Sequence, residues 1–211
     1  MVVKLPTFPE CNHPVVRLLA HRSDHALLHL FQNYPAKGQY FTTIFCRYSH
    51  LVYALIRNSA QSPVQVDYLF AKTWQRIYDE LQHLKLEKQV SSSEQRALQS
   101  WILNMSAVSI NGAKLPPVET INYALSAAPP PLWCYLEKAL EHLPATCRLI
   151  LTLAQTFHWS ESRIAAYLAA EGEIISPEQV QVQLQEGYQL LEALLPKDIQ
   201  EIYLSTAAAK E

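Results

Sequence analysis

The sequence predicts an all-α protein of two small helical domains joined by a proline-rich linker. Apolar residues recur at helical spacing through most of the 211 residues, and only four glycines interrupt them. Beyond the middle of the chain this pattern stops, and prolines cluster within residues 116–131. We therefore expect domains at residues 10–114 and 132–205, separated by an exposed linker at 115–131.

The composition is that of an ordinary globular protein, with 49% hydrophobic residues. No apolar run is long enough to span a bilayer, and the N-terminal residues lack the apolar core of a signal peptide. The cysteines are scattered, at Cys11, Cys46, Cys134 and Cys147. This spacing suggests neither a zinc module nor a disulfide framework. We expect a soluble, reduced, cytoplasmic protein with no membrane partner.

The net charge of −2 hides an asymmetry between the two halves of the chain. Residues 1–115 carry 12 Lys/Arg and 7 Asp/Glu, a balance of +5. Residues 116–211 carry 5 Lys/Arg and 12 Asp/Glu, a balance of −7. Because binding to nucleic acid depends on neutralising phosphates, the N-terminal half is the better candidate for contact with it.

The helices of the first domain are predicted from their apolar spacing. Residues 15–34 are interrupted at Ser23, which with Asp24 begins a new helix. Residues 40–59 carry the strongest amphipathic pattern of this half. After a turn, a helix over 64–84 places apolar and aromatic side chains on one face, namely Val66, Leu69, Phe70, Trp74, Ile77 and Leu81.

Two aromatic residues of the helix over 64–84 have different expected roles. Phe70 is expected in the core, whereas Trp74 either packs in the core or anchors a partner interface. Beyond this helix, residues 85–99 are polar and predicted to form a loop with a cap. Residues 100–110 are predicted to form a short apolar helix.

The sequence contains no recognisable catalytic set. His21, His25 and His29 are spaced four apart and either share a metal or lie on the surface. No cysteine or second histidine cluster completes a metal site. Neither a glycine-rich phosphate loop nor a Ser/His/Asp arrangement is present. We expect no enzyme, no metal and no cofactor.

Residues 159–195 predict one helix, a turn and a second helix, preceded by helical periodicity over 132–157. Ser160 is a suitable N-cap for the first helix, and Gly172 is suited to end it. Ser176, followed by proline and glutamate, begins the second helix. Two helices joined by a turn are typical of a helix-turn-helix, whose second helix enters the major groove of DNA.

The charge of the second of these helices leaves two interpretations open. Residues 176–195 contain no Lys or Arg. Three glutamates lie there, at Glu178, Glu186 and Glu192. The polar faces also carry glutamines, at Gln181, Gln183 and Gln185, and glutamine is able to read adenine. The helix is therefore either a DNA reader or an amphipathic helix that packs within a helical domain.

The order of these segments resembles that of bacterial RNA polymerase sigma factors of the compact, extracytoplasmic-function-like class, which contain only regions two and four. FTTIFCRYSHLVYALI (41–56) and YLFAKTWQRI (68–77) resemble the start of region two, and SWILNMSAVSI (100–110) resembles its Trp-Leu helix. LEHLPATCRLILTLAQTFHWSESRIAAYLAAEG (140–172) is similar to region four, with Arg163 where the class usually has Glu. The resemblance implies a region-two-like bundle followed by a region-four-like helix-turn-helix domain.

The resemblance also implies roles for individual residues. Docking on the polymerase core is implied for Asp67, Phe70, Lys72, Trp74 and Arg76. Contact with the downstream promoter element is implied for Trp101, Asn104 and Lys114. Reading of the upstream element by the helix-turn-helix is implied for Ser176, Gln179, Gln181 and Gln183.

The expected function is that of an alternative sigma factor, which binds core RNA polymerase and directs transcription initiation at specific promoters. An anti-sigma protein is a further class of partner that the resemblance allows. Two other functions are considered. One is a degenerate sigma-like adaptor that binds polymerase or a regulator with little or no DNA recognition. The other is a helical scaffold without a role in transcription.

Overall fold

The computed structural model describes residues 5–60, 62–85 and 94–204. Within these ranges the chain forms α-helices and two short 3-10 helices and contains no strand, which confirms the predicted all-α class. The α-helices are α1 Pro14–Leu19, α2 Asp24–Asn33, α3 Gly38–Ile56, α4 Pro63–Leu81, α5 Glu94–Gly112, α6 Pro130–Glu141, α7 Ala145–Gln155, α8 Glu161–Ala170, α9 Pro177–Leu194 and α10 Lys197–Tyr203. Among the described residues, no helix has the length and apolar character needed to cross a membrane.

The contacts between residues divide the chain into two units. The first unit contains the chain up to Tyr135 together with the residues from Pro196 onward, and the second unit is Leu136–Leu195. The boundary falls inside α6. This division differs from the predicted one, which began the second domain at residue 132 and continued it to residue 205.

Helix α3 is central to the first unit, where it contacts α1, α2, α4, α5 and α10. Leu55 on its apolar face is 41% exposed, and the other side chains of that face are buried, namely Phe41, Ile44, Phe45, Tyr48, Val52 and Ile56. The Phe45 ring lies 5.0 Å from the Trp74 ring of α4 in an edge-to-face arrangement. Each such fully buried large side chain contributes about 1.5–3 kcal/mol through removal of its surface from water. The amphipathic pattern of the sequence is therefore sufficient to place α3 in the core.

The beginning of α2 combines a local cap with a long-range ion pair. The Ser23 hydroxyl accepts a hydrogen bond from the Ala26 N–H at 3.2 Å, as the sequence predicts. Asp24, only 1% exposed, pairs with Arg47 and accepts a hydrogen bond from the Tyr48 hydroxyl. A buried carboxylate requires such partners, since an unpaired charge in the interior is strongly destabilising.

A disulfide joins Cys11 and Cys46, and it corrects the expectation that no cysteines pair. The bond connects the 3-10 helix Pro9–Asn12 to α3, with the two α carbons 5.4 Å apart. Their separation of 35 residues carries no pairing signal in the sequence. Packing of the N-terminal segment against α3 brings the two side chains into reach. Cys134 and Cys147 form no disulfide.

Helix α10 belongs to the first unit, although the sequence assigned it to the helix-turn-helix domain. The Asp198 carboxylate accepts a hydrogen bond from the Gln39 N–H at 2.8 Å and so satisfies a free donor at the beginning of α3. Close packing is possible because residue 38 is glycine. A Cβ atom at Gly38 would lie 2.2 Å from Cγ1 of Ile199.

The segment predicted as a linker, 115–131, is part of the first unit and contacts its helices. The side-chain amide of Gln65 donates to the Pro116 carbonyl at 3.0 Å. The Tyr123 ring lies 4.9 Å from Trp133 and 6.5 Å from Tyr68. This segment also forms the 3-10 helix Val118–Thr120.

The extent of α5 also differs from the prediction. It begins at Glu94 and ends at Gly112, whereas the sequence predicted a loop over 85–99 and a helix over 100–110 only. Residues 86–93 of that predicted loop lie outside the described residues. Leu98 and Ile102 are fully buried and extend the apolar face toward the helix N-terminus. Tertiary packing therefore supports a longer helix than the polar composition indicated.

The second unit is built from three helices around one core. The helices α7, α8 and α9 contact one another pairwise. The buried residues that they share are Ile150, Leu153, Ile164, Ala165, Leu168 and Val180. Helix α9 approaches α7 closely at Gly187, where a Cβ atom would lie 2.8 Å from Sγ of Cys147.

Candidate binding surfaces

The aromatic pair predicted to dock on polymerase lies in the core of the first unit. Phe70 and Trp74 are both 0% exposed. Their rings contact Tyr53 and Phe45, at centroid distances of 5.1 Å and 5.0 Å respectively. In this arrangement the two rings stabilise the helical bundle and present no surface to a partner. The core placement predicted for Phe70 from its spacing is confirmed, and Trp74 takes the same role.

Asp67, the third residue of the predicted docking set, is half-buried and paired within the chain. The Tyr53 hydroxyl donates a hydrogen bond to its Oδ1 atom at 2.9 Å. Burial raises the pKa of Asp67 above its usual value, while this hydrogen bond opposes the rise. Burial and the neighbouring carboxylate raise the pKa of Tyr53 to about 12. The pair therefore fixes α3 against α4.

Lys72 and Arg76, the remaining members of the docking set, line a groove together with Lys114. We call it the α4–α5 groove and define it by Tyr68, Lys72, Thr73 and Arg76 of α4 with Ser109 and Lys114 at the end of α5. Its volume is about 270 Å³. The sequence assigned Lys114 to DNA contact and the other two cations to polymerase docking. The fold brings all three to one surface.

The cations of the α4–α5 groove differ in how they are held. The Lys72 ammonium donates to Oε1 of Gln75 at 2.7 Å and lies 4.8 Å from the centre of the Trp133 ring. Arg76 and Lys114 are exposed. Across the described ranges, no hydrogen bond or ion pair engages either of them. Their charges are therefore available to an anionic partner.

The other two residues predicted for the downstream promoter element do not join Lys114. Trp101 is half-buried on α5, and Asn104 is exposed on the same helix. Neither of them lines the α4–α5 groove. Of the three residues predicted to contact the downstream promoter element, only Lys114 therefore lies at the groove.

Helices α8 and α9 follow one another across a turn, and both begin with the predicted N-cap serines. The Ser160 hydroxyl accepts a hydrogen bond from the Arg163 N–H at 3.4 Å. Gly172 ends α8 with a φ of +93°, in the region that glycine adopts easily. The connection spans residues 171–176, which is longer than the roughly three- to four-residue turn of standard helix-turn-helix motifs.

Two of the residues predicted to read DNA are occupied in the cap of α9. The Ser176 hydroxyl accepts from the Gln179 N–H at 3.2 Å, and the Gln179 side chain accepts from the Ser176 N–H at 2.7 Å. This reciprocal arrangement is a capping box. Gln181 is exposed and Gln183 is half-buried. Of the four predicted residues, Gln181 is therefore the one that is both exposed and outside the capping box.

The outer face of α9 combines acidic and apolar side chains. Glu178, Glu186 and Glu192 are exposed, and Val182 is 56% exposed. A hydrogen bond from Ser176 lowers the pKa of Glu178, which keeps this carboxylate charged at the beginning of the helix. Tyr188 of the same helix is 41% exposed. The face thus lacks the positive charge that most DNA readers carry.

The only cation between residues 159 and 195 is held by an aromatic ring. The Arg163 guanidinium lies 4.1 Å from the centre of the Trp159 ring. Such stacking is a recognised cation–π interaction and fixes the side chain on α8. The positive charge of the helix-turn-helix is therefore on its first helix and not on α9.

The predicted histidine spacing does not produce a metal site in the described parts of the chain. His21 and His29 are exposed and His25 is half-buried. Over residues 5–60, 62–85 and 94–204, no group of three or more His, Cys, Asp or Glu side chains is placed to hold a metal ion.

Sequence reasoning missed three residues of the α4–α5 groove. Tyr68 precedes Lys72 by four residues, and Lys72 precedes Arg76 by four, so one face of α4 carries all three. This spacing is a signal that the sequence contains. Thr73 directly follows Lys72 and is fully buried beside this face, and Ser109 reaches the groove only through the packing of α5 on α4.

Comparisons with known protein families, curated proteins and solved structures find no match to this chain.

Proposed function

We propose that this chain is a sigma-factor-like protein that binds core RNA polymerase and acts in transcription initiation. The observation that carries the proposal is the capped α8–α9 pair, packed on α7 around its own core. A helix-turn-helix of this kind is typical of proteins that act on DNA. The order of segments, with a helical bundle before the helix-turn-helix, supports the sigma-like assignment.

Docking on polymerase is assigned to the exposed polar face of α4. Phe70 and Trp74 are buried, so Lys72 and Arg76 are the members of the predicted set with accessible charge. Charged residues at the edge of an interface chiefly increase the rate of association and the specificity for a partner of opposite charge. The partner surface is accordingly expected to be acidic.

A second function, that of an adaptor which does not read DNA, is favoured by the chemistry of α9. Its capping box occupies Ser176 and Gln179, and its exposed charges are glutamates. A helix that neutralises no phosphates gains little of the electrostatic affinity on which DNA binding depends. In this case the second unit serves as a protein-binding surface while polymerase provides the contact with DNA.

The proposal is tested with purified core RNA polymerase from the source organism. The chain is expected to co-purify with the core enzyme, and the double variant Lys72→Glu/Arg76→Glu is expected to bind at least tenfold more weakly. Arg17→Glu/Arg57→Glu, at two other exposed positions of the first unit, makes the same change of charge and is the matched control, which should bind as the wild type does.

Transcription from genomic DNA then separates the two functions. Core polymerase with the chain should initiate RNA at discrete sites that are absent without it. Binding without such initiation identifies the adaptor. Failure to bind core polymerase contradicts the sigma-factor function and the form of the adaptor that binds polymerase.

A further inference from the structure

The α4–α5 groove combines charge with unpaired buried hydroxyl groups. Thr73 is 0% exposed, and its Oγ1 atom is buried without a hydrogen-bond partner in the described chain. The Oγ atom of Ser109 is likewise buried and unpartnered among those residues. Buried polar groups without partners are rare, because each one costs free energy relative to its hydration in the unfolded chain. Both residues line the groove, so a change of side-chain torsion would turn their unpaired hydroxyl groups to a polar ligand bound there.

The charge around these hydroxyls selects an anion. Lys72, Arg76 and Lys114 line the groove, and the side chains that line it include no acidic residue. The arginine fork donates two parallel hydrogen bonds to an oxyanion, and lysine provides a point charge with rotatable donors. Together with the two hydroxyl groups they supply donors from several directions. A tetrahedral phosphate, with several charged oxygens, uses more of these donors than a planar carboxylate does.

The size and the remaining wall of the groove define the rest of the ligand. The volume of about 270 Å³ is near the lower end of small-molecule sites and is too large for a bare phosphate alone. The ring of Tyr68 forms part of the wall, and aromatic rings stack readily on nucleobases. A nucleotide therefore matches both the charged end and the aromatic wall.

We propose that the α4–α5 groove is a binding site for the phosphate group of a small nucleotide. Arg76 and Lys114 bind the phosphate oxygens, Thr73 and Ser109 donate hydrogen bonds to it, and Lys72 adds positive charge at the margin. Tyr68 contacts the base. This site goes beyond the proposed role in transcription and does not depend on it, since binding is a property of the chain without polymerase.

The first experiment titrates the full chain with ADP and with inorganic phosphate by isothermal titration calorimetry. We expect saturable binding of ADP with a Kd below about 1 mM, and competition by inorganic phosphate. A short single-stranded DNA oligonucleotide forms a third arm, which distinguishes a nucleotide from a nucleic-acid backbone. Binding of the oligonucleotide without binding of ADP or phosphate would overturn the proposal and identify a nucleic-acid surface.

Variants then test the assigned residues. Arg76→Gln and Lys114→Gln, at exposed positions, should each weaken ADP binding about tenfold, as expected for loss of a charged hydrogen bond. Thr73→Val preserves the shape of the side chain and should also weaken binding. Arg57→Gln, which removes an exposed charge elsewhere in the first unit, is the matched control and should leave the affinity unchanged.

Two further results would overturn the proposal. One is the absence of saturable ADP binding at millimolar concentration. The other is equal weakening by Arg76→Gln and Arg57→Gln, which would show that net charge and not the groove attracts the ligand. Circular dichroism of each variant confirms that it is folded, and the two exposed variants are decisive if Thr73→Val fails to fold. Because polymerase is absent from every measurement, failure here is distinct from failure of the transcription role.

Discussion

Cys11 and Cys46 are joined by a disulfide that ties the N-terminal 3-10 helix to α3 across 35 residues of sequence. Cross-linking restricts the unfolded chain, and a loop of this length is expected to raise the free energy of unfolding by about 2–4 kcal/mol. Cys46→Ser should lower stability by that amount in denaturant titrations. Adding a reductant should destabilise the wild type but not the variant.

The matched control for the disulfide is Cys147→Ser. Cys147 is a free, half-buried thiol in the second unit, and its pKa is raised by burial and by Glu186. Its replacement should leave the effect of reductant unchanged. An equal response of the wild type and Cys46→Ser to reductant would show that the bond does not form in solution.

Glu10 is expected to make stability depend on pH. Its side chain is 3% exposed, so the carboxyl group is almost entirely removed from water. Burial raises the pKa of Glu10 from 4.5 to about 7, against smaller opposing effects of its backbone and of the Tyr203 hydroxyl. The folded state therefore favours the protonated form, and stability falls as pH rises from about 4.5 to about 7.

Substitution of Glu10 isolates this contribution. The free energy of unfolding of Glu10→Gln minus that of the wild type should increase between pH 4 and a pH above 7. The increase should be about 3 kcal/mol, because only the wild type has to ionise a buried carboxyl group. Urea titrations at the two pH values measure the change. Glu119→Gln, at an exposed position, should show no such pH-dependent gain. A constant difference between Glu10→Gln and the wild type would contradict the buried-carboxyl interpretation.

Trp74→Ala is expected to destabilise the first unit and not merely to weaken partner binding. The ring is fully buried against Phe45 and Phe41, and truncation of a buried tryptophan typically costs about 3–5 kcal/mol. Arg76→Gln, two residues further along α4, should change stability by less than about 0.5 kcal/mol. Thermal unfolding compares the two. A stably folded Trp74→Ala chain that has lost only its affinity for core polymerase would restore the anchor role.

The acidic face of α9 is expected to oppose DNA binding. Replacing Glu186 and Glu192 by Lys should increase the affinity of the full chain for non-specific duplex DNA. The slope of log affinity against log salt should steepen by about 0.9 for each additional phosphate neutralised. Fluorescence anisotropy of a labelled duplex at several salt concentrations measures both quantities.

A matched double substitution controls for net charge. Glu80→Lys/Glu119→Lys adds the same charge at exposed positions of the first unit. If it increases DNA affinity as much as the α9 substitutions do, the effect comes from net charge and the helix-turn-helix has no special role.

Local features of the candidate sites could be predicted because their causes lie within a few residues. Ser160, Gly172 and Ser176 begin and end helices through hydrogen bonds and backbone conformation in their own turns. The absence of Lys and Arg from α9 is likewise a property of the sequence. The α4–α5 groove was visible only in part, since Lys72 and Arg76 share a helical face but Ser109 comes from another helix.

The sequence by itself determined the all-α class, the N-caps of α8 and α9 and the amphipathic face of α3, because helical periodicity and capping act over one or two turns. The tertiary structure alone decided the pairing of Cys11 with Cys46 and the return of α10 to the first unit. It also decided that Trp74 is buried and that Lys114 joins Lys72 and Arg76. These relationships connect residues far apart in the chain, and their energy comes from packing that no local pattern records.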